Sequence, residues 1–60
     1  MRFREIEKII KQDGWELHNV VGSHHHYRHP TKVGKVTIPK HPGDVPLRVI
    51  KSILKQAGLE

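Results

Sequence analysis

Sixty residues, 35% of them hydrophobic and none cysteine, can build the core of one small domain, and a multi-lobed enzyme, a disulfide framework and a thiolate zinc site are excluded. The longest uncharged apolar run is far short of the roughly 18 residues of a membrane span. Met1-Arg2-Phe3-Arg4-Glu5 lacks the apolar stretch of a secretory signal, so a cytoplasmic protein, folded as the single domain 1–60, is the expectation. The net charge of +5 is uneven: residues 1–17 are neutral, residues 18–41 carry Arg28, Lys32, Lys35 and Lys40 with no acid, and residues 42–60 sum to +1. All six histidines lie in that acid-free middle. A basic excess confined to one segment points to a polyanionic partner, above all nucleic acid. Spread evenly, it would read as a solubility device.

Phe3, Ile6, Ile9 and Ile10 recur at helical spacing while Arg4, Lys8 and Lys11 take other faces, which predicts a first helix. Gly14 is its natural stop. Trp15, Leu17 and Val21 then alternate with Glu16 and His18, as in a strand with one buried face. Gly22-Ser23 reads as a turn, residues 24–29 as a second strand ending at Pro30, and residues 31–34 as the hairpin loop. Lys35-Val36-Thr37-Ile38 is a third strand closed by Pro39, which sits only at strand ends and edges. His41-Pro42-Gly43 is irregular. Asp44 looks like an N-cap with Pro46 in the first turn, and a last helix runs to Ala57 with Gly58 as its stop. Its apolar stripe is Leu47, Ile50, Ile53/Leu54 and Ala57, and Arg48, Lys51 and Lys55 share another face. The order is α-β-β-β-α: an α+β fold in which a three-stranded antiparallel sheet carries both helices on one face and leaves the other open for a ligand.

Strand parity sorts the histidines. With Tyr27 in the core, His25 and His29 share its side, while His24, His26 and Arg28 point to the open face. Val36 and Ile38 go inward, and Lys35 and Thr37 outward. Imidazoles, a guanidinium, an ammonium and a hydroxyl are suited to binding RNA phosphate and moving protons, because imidazole alone titrates near neutrality. RNA carries its own nucleophile, the 2′-hydroxyl, so cleavage needs a base, an acid and cations but no cofactor or metal in principle. Each residue also has a plainer role: surface histidines as solvated bystanders, His25 and His29 as half-buried framework groups, the last helix's cations as a solvated face. His24 and His26 could hold Zn²⁺ together, yet two imidazoles without a third ligand nearby make an incomplete site.

The string Gly22-Ser23-His24-His25-His26-Tyr27-Arg28-His29-Pro30, then Val36-Thr37-Ile38-Pro39-Lys40-His41-Pro42-Gly43 and the ending Leu47 to Leu59, resembles the HicA toxin family. So does the apolar helix followed by Gly14-Trp15-Glu16-Leu17. The resemblance covers essentially the whole chain. It implies a double-stranded-RNA-binding-like α-β-β-β-α fold and a type II toxin that cleaves messenger RNA and is neutralised by a HicB-type antitoxin. It also implies that His24 matches the family's catalytic histidine, presented by Gly22 and Ser23.

The expected function is therefore a metal-independent endoribonuclease with His24 as general acid/base. Ser23, His26, Arg28, Lys35, Lys40, Lys51 and Lys55 are the expected RNA contacts, and the antitoxin is expected to cover the face that carries His24. The alternative is a non-catalytic RNA-binding module of the same fold. A metal carrier fails on ligand count.

Overall fold

A computed structural model describes residues 1–40 and 42–60; His41 lies outside the described residues. The elements run α1 (Phe3–Gln12), β1 (Glu16–Val21), β2 (His24–Arg28), β3 (Val36–Pro39) and α2 (Leu47–Gln56). The three strands form one antiparallel sheet in the order β1-β2-β3. Tyr27, Val36 and Ile38 project from one face of it into a core completed by Ile6 and Ile10 of α1 and Ile50 and Ile53 of α2. Both helices thus cover one face, and the other is left to solvent, as the apolar patterning requires.

Both helices end in the same way. The amide of Gly14 donates to the Lys11 carbonyl and that of Trp15 to the Ile10 carbonyl. In α2, Gly58 donates to Lys55 and Leu59 to Leu54. This paired closure needs a residue at positive φ, and Gly14 (107°) and Gly58 (74°) supply it. At the start of α1, Glu5 Oε1 accepts the Arg2 amide at 2.7 Å, satisfying a donor near the helix start from its first turn.

The structure corrects several boundaries. Asp44 is not the N-cap of α2: Pro46 is, and its carbonyl accepts the amides of Val49 and Ile50. Proline holds φ at −58° and ψ is extended at 145°, so the chain turns helical only afterwards, out of reach of an Asp44 cap. Asp44 instead bridges to Arg2, and its carboxylate lies 3.8 Å from the Met1 ammonium. Leu47 does not join the apolar stripe. It is 67% exposed, and Val45, upstream of the helix, is buried in the core.

The first strand differs most. Trp15 is buried but precedes β1, and Leu17, Val20 and Val21 are 46%, 48% and 59% exposed. Register explains why simple alternation failed. Leu17 pairs with Tyr27 and Asn19 with His26, so one extra residue, His18, is accommodated as a bulge. The bulge reverses parity, which puts Leu17 on the helix face and Val21, paired with His24, on the open face.

The second strand ends at Arg28 rather than at His29, and Lys35 precedes β3 rather than opening it. His29 leaves the sheet to organise the β2–β3 connection. Its Nδ1 accepts the amides of Thr31 and Lys32, each at 3.0 Å, and its Nε2–H donates to the Asp13 carbonyl at 2.7 Å. The ring also meets Trp15 edge-on, with centroids 5.1 Å apart. Lys32 Nζ continues the staple, donating to Asp13 Oδ2 at 2.5 Å and to the Ala57 carbonyl at 3.0 Å.

Candidate nucleic-acid interface

The open face is built around the β1–β2 turn. Gly22, at φ 59°, is the first central residue of a two-residue hairpin loop, where glycine suits the twist of the flanking strands. The Ser23 carbonyl accepts the Lys40 amide at 2.7 Å, which ties this turn to the end of β3. His24 follows as the first residue of β2 and is exposed.

Cross-strand pairing then assembles the face row by row: Val21, His24 and Pro39; Asn19, His26 and Thr37; Glu16 and Arg28. His24 and His26 stand two residues apart on one strand face, roughly 7 Å along the chain. His26 Nδ1 lies 2.9 Å from Thr37 Oγ1, which orients its ring. Burial, and after it the positive charges of Lys35 and of His24, His18 and His25, hold the His26 imidazole below its ordinary pKa. Near neutral pH it is therefore an unprotonated base with a cation beside it. Arg28 and Lys35 are exposed.

The other two histidines of β2 and its exit are framework groups. His25 points to the helix side and meets Phe3 edge-on at 4.9 Å, and its Nδ1 is buried without a hydrogen-bond partner among the described residues. His29 is the loop hub described above. On the core side of β2, the Tyr27 hydroxyl donates to Glu7 Oε2 at 2.5 Å. Burial first, and then that carboxylate, push the phenol well above its usual range, and on this buried side Tyr27 acts as a structural donor.

Three expected RNA contacts lie elsewhere. Lys40 follows Pro39 and so falls on the opposite side of β3 from Thr37; its Nζ lies 5.8 Å from the centroid of the Phe3 ring of α1. In α2, Gln56 accepts the Thr37 amide and donates to Ser52, so these two residues flank β3. At about 100° per residue, Lys51 and Lys55 then point away from the sheet, and both are exposed. They do not share a face with His24.

Inspection of residue types missed Asn19, which flanks His26, and Glu16, which faces Arg28, whereas Thr37, expected outward, does lie beside His26. Counting back from the two-residue Gly22-Ser23 turn pairs Val21 with His24 and reaches Asn19 and His26 correctly. Only the bulge at His18 hides Glu16. Among the described residues no three histidine or acidic side chains converge as metal ligands. No helix among them is long and apolar enough to cross a membrane.

The family model described as HicA toxin of bacterial toxin–antitoxin matches residues 3–59, nearly the whole fold just described. Comparison with curated proteins gave no match.

Proposed function

The chain belongs to the HicA toxin family of bacterial toxin–antitoxin systems, and from that premise we propose that it is an endoribonuclease that cleaves messenger RNA in the cytoplasm and is silenced by a HicB-type antitoxin. One observation carries the reading: His24 and His26 share an exposed sheet face with Arg28, and Lys35 is near enough to depress the His26 imidazole. Cations and proton carriers on one surface are what phosphodiester cleavage requires.

An imidazole takes the proton of the 2′-hydroxyl as its oxygen attacks phosphorus. The bond from phosphorus to the 5′ oxygen breaks, and a second proton donor protonates that leaving oxygen. The products are a 2′,3′-cyclic phosphate and a free 5′-hydroxyl. His24 is the general acid/base that works on the scissile phosphate. His26, kept neutral, is the second imidazole for the pair. Arg28 and Lys35 stabilise the charge that builds on the phosphoryl oxygens, and Ser23, in the turn before His24, offers a hydroxyl to the strand.

Replacing His24 with alanine is expected to abolish RNA cleavage and growth arrest, with an unchanged circular dichroism spectrum, because an exposed strand-end side chain contributes little to the core. Full cleavage by His24→Ala would overturn the assignment. Cleavage by the parent protein is expected to persist in EDTA. RNA binding by the parent without cleavage would leave a binding module of the same fold.

A further inference from the structure

Residues 1–17 carry as many acids as bases, but the fold separates them in space. Glu5 accepts the Arg2 amide, Glu7 holds the Tyr27 hydroxyl and lies 3.6 Å from Lys11, Asp13 holds Lys32, and Glu16 faces Arg28 across the sheet. The side chains of Arg2, Arg4 and Lys8 are left without an acidic partner among the described residues. With Lys40 they line an open groove between α1 and residues 42–43. Glu5 and Glu7 also border it, and both are engaged as above.

Lys40 links this groove to the open face. Its ammonium sits by the Phe3 ring, at the groove, while its amide donates to the carbonyl of Ser23, next to His24. A chain of phosphates leaving the His24 end of the sheet therefore meets Lys40 first and the cations of α1 next. Arg4 and Lys8 stand one helical turn apart on the same side of α1, a row of charges suited to a repeating anion and not to a single one.

We infer that this groove is a second RNA-binding site, which holds the single strand to one side of the scissile phosphate. The inference rests on the endoribonuclease reading. It makes the segment 1–17, neutral in sum, an extension of the cationic surface, and it excludes α2, whose Lys51 and Lys55 point away from the sheet.

The test uses the His24→Ala protein, which leaves RNA uncut, with a trinucleotide and with a long unstructured strand. Each phosphate contact contributes about 0.7 to the slope of log affinity against log salt for single strands. Arg4→Gln with Lys8→Gln is expected to lower that slope by about 1.4 for the long strand and to leave the trinucleotide unaffected. Lys51→Gln with Lys55→Gln, an equal change in net charge, is expected to leave both unaffected. An equal loss of slope in the two double variants would reduce the effect to net charge and overturn the groove. So would an unchanged slope accompanied by weaker antitoxin binding, which would assign the groove to an acidic protein segment. If the His24→Ala protein bound neither RNA, the endoribonuclease reading itself would fall, and the groove with it.

Discussion

His26 shows how strongly the surroundings of a histidine on the sheet can tune it. Its side chain differs from that of His24 in being partly covered and in touching a hydroxyl. Burial is the larger cause of its lowered pKa and the charge of Lys35 the next. Lys35→Gln is therefore expected to raise the His26 titration without restoring it fully, as read by NMR of the imidazole carbon shifts. If His26 is the base in cleavage, the acid limb of the pH–rate profile lies below the ordinary imidazole value of about 6.5 and moves upward with Lys35→Gln. A His26 titration at the same pH in both proteins would show that Lys35 does not act on it. The placement of His26 was half legible: parity from Tyr27 put it on the open face. Its contact with Thr37 depended on register, which residue types alone do not give.

At the level of elements, two glycines allow a controlled comparison. Gly14 and Gly22 both hold positive φ, at 107° and 59°, a conformation costing an L-residue roughly 1–2 kcal/mol. A Cβ at Gly22 would meet nothing within 4 Å, whereas one at Gly14 would lie 2.7 Å from His29 Nε2. Gly22→Ala is expected to cost only the backbone term. Gly14→Ala is expected to cost more, because it must also displace the ring that holds the β2–β3 loop. Thermal unfolding of the two variants decides this, and equal losses would mean that the His29 ring yields freely. The same elements show where sequence reading holds and where it stops. Both helix ends, β2 and β3 followed from glycine placement and from apolar periodicity, which are local signals. The β1 faces and the start of α2 did not, because a one-residue bulge at His18 and the extended backbone at Pro46 each override the simple pattern.

For the molecule as a whole, the sheet is a half-used surface: helices bury one side, and the other carries a concentration of positive charge and imidazole. The cognate antitoxin that the family implies has its simplest route to inhibition in covering that side, with carboxylates directed at Arg28 and Lys35. Antitoxin and uncleavable RNA are then expected to exclude one another on the His24→Ala protein. A stable ternary complex with undiminished RNA affinity would rule out occlusion. Of the exposed apolar residues of β1, Val21 lies on that surface beside His24 and gives it an apolar border. The single sheet, its open face and the position of His24 on it were legible from the sequence. The division of the cations between three surfaces was not, because net charge by segment carries no direction.

Lys32 sets an order in time. Its ammonium joins the loop before β3 to the end of α1, 19 residues earlier, and to the end of α2, 25 residues later. Both partners are brought to it only when the two helix ends are docked, so this contact is expected to form late in folding. Interactions absent from the transition state act on the unfolding rate alone. Lys32→Met is expected to speed unfolding while leaving the refolding rate unchanged in a denaturant chevron. A slowed refolding limb would instead place the meeting of both chain ends at the start of the process.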